Sequence, residues 1–551
     1  MIKKTLLTAY ILFIIFAGNC QTATEWQSDL RWLQQTVHSK YSNLFYTISS
    51  ADWDKAVDDF NTALPTLNKF QVLAGFIKLV ALFHIGHTQI NTFALHGDNA
   101  KAMTLHRYPY QLYWFSDGLY IRRADNSYAN AVGGKVIKIG NMKAEDALEA
   151  ARSLVSYENQ YGYKSNVMAF LSTPEFLQTQ GITNSADEVS ITYIKSGKQE
   201  TTVFAAGNNN NNIFSSTGLV TPQGWVDAKQ SGNIPLWQKE PTAYRYMEYL
   251  PESKTLYVRH SVTLNDGDKT IEAFFRNMAD FIDKNDVQKL ILDIRMNGGG
   301  NNYLNKPIIT SIIESKKINQ RGKFFVITGR RTFSAAQNLT NELEKYTEVI
   351  FVGEPTAENV NFYGDTRTET LPNSKLQANL SWMWWQNLDP RDKRSETSPQ
   401  MAVDMSFNDY YTNIDPALKA IFNFKNAKPF LSNLTELLNA GKKESALQLA
   451  LDYKSDPLNR YYATNLEADI NREGYDNMES KPILANALLE LNLKLFPESA
   501  NAYDSYAESL LKIGKPADAI LNYEMAIIKD KDGQTAENSR KMIEKIKSGG
   551  K

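Results

Sequence analysis

A chain of 551 residues is too long for one hydrophobic core, so three or four domains are expected. At 42% hydrophobic and 22% charged, its composition is that of a soluble globular protein. A net charge of −1 gives no basis for binding nucleic acid or an anionic membrane surface.

The N-terminus reads MIKKTLLTAYILFIIFAGNCQTATEW. Lys3 and Lys4 precede an apolar stretch over 5–17. That is a secretory signal, assigned to 1–21, and it is shorter than the ~20 apolar residues of a spanning helix. Cys20 is the only cysteine, which excludes a disulfide within the chain. The stretch FAGNC loosely resembles a bacterial lipobox, in which the cysteine is lipidated. Export to the periplasm or cell envelope is expected, either anchored through Cys20 or released after simple cleavage.

Helical periodicity follows, over 22–105. WQSDLRWLQQTVHSKY puts Leu30, Leu33 and Val37 on one face. FQVLAGFIKLVALFHIGHTQINTF continues as a helix and breaks at Gly86. From His106 the period shortens to that of strands, in YQLYWF and GLYIRR. EVSITYIKSGKQETTVFAA reads as a hairpin turning at Ser196-Gly197-Lys198. The Asn-rich run after Gly207 cannot build a core, so 208–240 is a linker.

Apolar strands then alternate with helices over 241–428: TLYVRHSV, KLILDIR, KFFVITG and EVIFVGE are the strands. This pattern implies a parallel sheet covered on both faces, with functional loops at the carboxyl ends of its strands. Over 429–551 the chain is helical. Tyr503, Ala507, Gly514, Ala519, Tyr523 and Ala526 have a spacing that resembles a tetratricopeptide repeat. Such a repeat is a candidate surface for a protein partner.

Two loops of the α/β region carry candidate chemistry. LILDIRMNGGGNN ends a buried strand in three glycines, whose amides can approach a ligand without side chains in the way. GRRTFSAAQ turns from a strand into a helix at Ser334. A serine there is either an N-cap or a nucleophile beside the free amides of a helix start. Amides of the glycine loop, with that of Ala335, would form an oxyanion hole. The spacing His84-x-x-His87 lacks the further ligand of a zinc site, and neither HExxH nor CxxC occurs, so no metal and no cofactor is expected. His38, His96, His106 and His260 read as partly buried or surface residues. Trp382 and Trp384 would share one face of a strand, with Trp385 on the other.

LILDIRMNGGG, TFSAAQ, VGEPT, YGD, LPNS and DPALKAIF follow in order a pattern that resembles the tail-specific (carboxy-terminal processing) serine protease family. The match is to its tricorn-core and retinoid-binding-protein-like branch, over 256–424, with IGHTQI similar to an earlier element of that branch. The resemblance implies an α/β fold with a crotonase-like core at 241–428 and a small PDZ-like domain at 106–207, the latter with a helical insert. It also implies serine peptidase activity on a peptide or protein. By the same resemblance Ser334 matches the nucleophile, and Gly299 or Gly300 with Ala335 the oxyanion amides. Asn359 stands where another branch has its lysine base, and His87 matches the base of this one. Asp392 and Glu396 are the candidates for the acidic third residue. The rival reading is an inactive relative that binds peptides or apolar ligands.

Overall fold

The computed structural model describes residues 21–92, 103–207, 218–425 and 428–549. The signal segment with Cys20, His96 and most of the Asn-rich run lie outside the described residues. The fold is α/β, and the chain divides into two compact units. The first comprises Met1–Ser215, Thr221–Ala228 and Ala357–Ser395; the second comprises Ser216–Val220, Lys229–Thr356 and Glu396–Lys551. No helix among the described residues is long and apolar enough to cross a membrane.

The first unit begins with the helix Ala23–Lys40, started by a capping box between Thr22 and Glu25. Leu30, Leu33 and Val37 are fully buried, as their spacing requires. They meet the helices Ser50–Ala63 and Lys69–Ala81 in one core. The third helix stops at Ala81, short of the expected break at Gly86. The cause is His84, whose φ of 47° is left-handed and cannot continue a right-handed helix.

The segment Ala357–Ser395 was expected in the α/β core, yet it packs here. Its hairpin, Asn361–Thr370 with Gln377–Gln386, pairs antiparallel with the short strand Gln89–Ile90. Leu371, Leu376, Ala378 and Leu380 complete the core of the N-terminal helices. Buried Asp29 accepts the amides of Asn373 and Ser374, each at 2.8 Å, which fastens the hairpin turn to the first helix. On the same hairpin Trp384 packs against Tyr46 and Tyr363, while Trp382 lies under the Arg367 guanidinium.

The β domain of this unit is a sheet built on the strands Tyr110–Phe115, Gly118–Asp125, Lys135–Ile139, Glu188–Lys195 and Lys198–Ala205, in that order. Lys195 pairs with Lys198, so the last turn has only two residues, Ser196 and Gly197. Both have positive φ, 50° and 75°, the turn whose twist suits a tight hairpin. The helical insert is part of the domain's core: Tyr163, Val167 and Leu177 are buried in it. Asn159 caps the insert helix Gln160–Phe170, and Gly162 allows that helix to approach the Ala357 carbonyl, which a Cβ would meet at 2.8 Å.

The second unit is built on a sheet with strand order Met401–Ala402, Ile350–Gly353, Phe324–Thr328, Lys289–Asp293, Thr255–His260 and Arg245–Leu250. All its pairings are parallel except the last. Residues 324–328 are buried throughout, because both faces are covered. Helices Ile271–Lys284, Lys306–Glu314 and Ala335–Tyr346 cover one face, and Pro416–Asn423 the other.

The helical tail is joined to this sheet by more than its start. Leu458 packs into the core between the sheet and the helix Pro416–Asn423, Arg460 donates to the Ala402 carbonyl at 3.1 Å and to Asp404 at 2.9 Å, and Tyr462 donates to the Ser398 carbonyl. A boundary at Lys428 therefore cuts through packed contacts. Farther on, Ala507, Ala519 and Ala526 are fully buried where successive helices cross, with Tyr523 between them.

His260 ends its strand fully buried, with Nε2 3.3 Å from the Thr263 hydroxyl. Burial, with Arg245 nearby, lowers its pKa to about 3. The imidazole is thus neutral in the fold and protonates readily only on unfolding. Its contribution is complete above the unfolded pKa of about 6.5 and declines as pH falls from there toward 3. Between pH 7 and 5 this group alone should cost about 2 kcal/mol. Urea midpoints of the wild type and His260→Gln, compared at both pH values, should show a smaller acid loss in the variant.

Candidate active site

Ser334 sits between the strand Phe324–Thr328 and the helix Ala335–Tyr346. The turn before it is braced from within. Thr332 accepts the Gly329 amide at 3.0 Å, donates its hydroxyl to the Ile294 carbonyl at 3.0 Å, and gives its own amide to the Gly329 carbonyl. The Phe333 amide donates to the Asn297 carbonyl, so this turn and the glycine loop are hydrogen-bonded together. Ser334 itself has φ 58° and ψ −124°, and its side chain makes no cap hydrogen bond. An N-cap serine has extended backbone and bonds an amide of the first turn; this one does neither. A left-handed serine is a strained residue held by its surroundings, a condition that clusters at functional sites.

The glycine loop lies directly on it. A Cβ on Gly299 would come within 2.6 Å of the Ser334 Cβ, 3.0 Å of the Phe333 carbonyl oxygen and 3.1 Å of the Ala335 nitrogen. Gly299 and Gly300 have φ of 103° and 140°, and a Cβ on Gly300 would meet the Thr263 carbonyl at 2.4 Å. Gly298 faces open space. Thus two of the three glycines are required, one by Ser334 and one by Thr263. The two expected oxyanion glycines differ in another respect: the Gly299 amide donates to Asn297 Oδ1 at 2.9 Å. The Ala335 amide, first in its helix, has no intrahelical acceptor.

If Ser334 acts as a nucleophile on a carbonyl, Gly299→Ala is expected to lower its turnover at least 10²-fold, the scale of a lost oxyanion donor, because the new methyl must push the loop off Ser334. Gly298→Ala should leave it within a factor of a few. Steady-state kinetics of the two variants side by side checks this, and equal effects would mean that the contact is immaterial.

Arg295 holds the base of the same loop. Its guanidinium donates to both oxygens of Asp415, at 3.1 and 2.8 Å, and to Asp293 at 3.0 Å. Tyr257 donates to the other Asp293 oxygen at 2.7 Å. Arg330, read in the sequence as a solvated turn residue, is buried and pairs with Glu354.

The first unit carries the histidine. His87 lies between the helix Lys69–Ala81 and the strand Gln89–Ile90. Thr88 fixes that segment by donating to the Ser381 hydroxyl at 3.0 Å and accepting the Ser381 amide at 3.1 Å. His87 Nδ1 is 2.9 Å from Glu358 Oε1, with side-chain exposures of 15% and 0%. Its ring stacks parallel on Phe362 at 5.9 Å. Burial lowers its pKa to about 4, with Glu158 and Asp365 opposing. Glu158 accepts the Gly86 amide at 3.3 Å and the Asn359 amide at 2.9 Å.

Within the first unit the acid beside His87 is Glu358, with Glu158 close by. Asp392 is engaged instead by its own neighbour Arg394, at 2.7 Å. Glu358 stands next to Asn359 in the stretch already singled out, but its carboxylate is distinguished only by the fold. His84 is exposed and turns its ring to Tyr157. His38 pairs with Asp54 and His106 with Glu175.

No protein-family model and no curated protein matches the chain. Among solved structures, it is similar to a mutant of CPAF at 11% identity and a TM-score of 0.52, over 73% of this chain and 99% of that one. Mature CPAF complexed with lactacystin gives 11% identity and a TM-score of 0.50, over 73% and 97%. A photosystem II D1 C-terminal processing protease gives 13% identity and 0.35, over 69% and 93%. The likeness to the CPAF structures shows a shared fold.

Proposed function

We propose that this chain is a serine peptidase in which Ser334 attacks the peptide carbonyl. The observation that carries the reading is the conformation of Ser334: left-handed, uncapped, at a helix start, with Gly299 packed against it. In this reading His87 takes the serine proton, and Glu358, with Oε1 2.9 Å from Nδ1, stabilises the imidazole cation once formed. The Ala335 amide and one glycine-loop amide receive the oxyanion. Use of the Gly299 amide requires Asn297 Oδ1 to release it, which makes Gly300 the simpler donor. A fluorophosphonate probe tests the assignment: one adduct should form, on the peptide containing Ser334, and be absent from Ser334→Ala. Labelling elsewhere, or none, refutes it.

The closed Gly299 amide is what favours the rival reading, a peptide-binding relative without turnover. That protein would hold peptides unlabelled and uncleaved.

Export is part of the same proposal and rests on the charged start and the apolar stretch over 5–17. Intact mass of the mature chain from its native host should lack about the first twenty residues. A lipid mass on Cys20 would establish the anchored form, and retention of Met1 would refute export.

A further inference from the structure

His87, Glu158 and Glu358 come from three distant parts of the chain, yet their ligating atoms all lie within 4.8 Å of one another. The two carboxylates serve different ends. Glu158 is oriented by the Gly86 and Asn359 amides, which belong to the residues flanking His87 and Glu358. One carboxylate therefore clamps the two backbone segments from which the other ligands project. Such outer hydrogen bonding is what fixes a metal-ligating carboxylate.

Two carboxyl groups and an imidazole are gathered here out of bulk water, with the Glu358 side chain fully buried. A divalent cation offsets the charge of carboxylates held so close together. One imidazole nitrogen with two carboxylate oxygens is a set that suits zinc better than calcium or magnesium, which take oxygen throughout. Ligand atoms on a tetrahedral zinc ion lie ~3.3 Å apart. His87 Nδ1 and Glu358 Oε1, now at 2.9 Å, need only a small side-chain rotation to reach that spacing.

We propose that His87, Glu158 and Glu358 form a binding site for one zinc-class divalent cation, with its fourth position open to water. Binding occupies an imidazole nitrogen of His87. In the peptidase reading the bound ion withdraws His87 from proton transfer, so the site is inhibitory.

The test uses the full mature chain, stripped with a chelator and titrated with Zn²⁺ against a chromophoric competitor, with no peptide present. One equivalent should bind, and the melting temperature should rise with Zn²⁺. His87→Ala, Glu358→Gln and Glu158→Gln should each weaken binding 10-fold or more. Co²⁺ should give the intense visible bands of a four-coordinate site in the wild type and not in His87→Ala. Absence of stoichiometric uptake overturns the proposal. So does uptake unchanged in variants that melt cooperatively, or equal competition by Mg²⁺. Because metal uptake is read without turnover, its failure is separate from failure of the peptidase reading.

Discussion

Ser334→Ala is expected to lower kcat/KM on any peptide the protein cleaves by roughly 10⁴–10⁶-fold, leaving the fold unchanged. The serine hydroxyl makes no cap bond, so its removal costs the helix start little. The Cβ that packs on Gly299 is retained by alanine. Loss of rate with an unchanged melting temperature is therefore the signature of a nucleophile. His87→Ala should fall nearly as far, since a nucleophile and its base act as one unit. Asn359→Lys should not restore it: Glu158 holds the Asn359 amide, so the backbone there is set by the His87 cluster and not shaped for a lysine base. If Ser334→Ala retains turnover while a glycine-loop variant loses it, the nucleophile lies elsewhere. If His87→Ala alone retains turnover, the base does.

Arg295→Met is expected to destabilise the second unit by about 3–5 kcal/mol, the cost of leaving a buried charge without its partner. The side chain is 12% exposed, and its acceptors Asp293 and Asp415 are 1% and 5% exposed. Removal leaves two buried carboxylates on facing elements, the end of a central strand and the start of the helix Pro416–Asn423. Arg295 also lies two residues before Asn297, whose side chain accepts the Gly299 amide and donates to the Thr263 hydroxyl. Turnover should fall even under conditions where the variant is folded. Equilibrium urea unfolding followed at a Trp in this unit gives the first quantity, and kinetics at low temperature the second. A midpoint within error of wild type would mean that water replaces the guanidinium at no cost.

Much of the candidate chemistry of the second unit was legible in the sequence. A run such as KFFVITG followed by a helix-period segment places Ser334 at a strand-to-helix turn, because burial on both sheet faces leaves an unbroken apolar run. Three successive glycines announce a close approach, and two of them prove to need it. The turn at Ser196 and Gly197 was equally local, since two residues of positive φ are required there. In each case the physical requirement is confined to a few consecutive residues, so the sequence shows it directly.

The acidic partner of His87 was not legible in this way. Asp392, Glu396, Glu358 and Glu158 are alike as letters, and a carboxylate's role is set by what surrounds it. Arg394 engages Asp392, while the Glu358 side chain is sealed beside an imidazole from a distant segment. The hairpin of 361–386 was equally ambiguous, because its apolar face fits any core of the right shape; pairing with Gln89–Ile90 commits it to the N-terminal helices. The sequence by itself determined where strands, turns and the serine fall, since those depend on local periodicity and backbone conformation. Only the tertiary structure decided which charges meet and which core each segment joins, since those free energies arise between groups far apart in the chain.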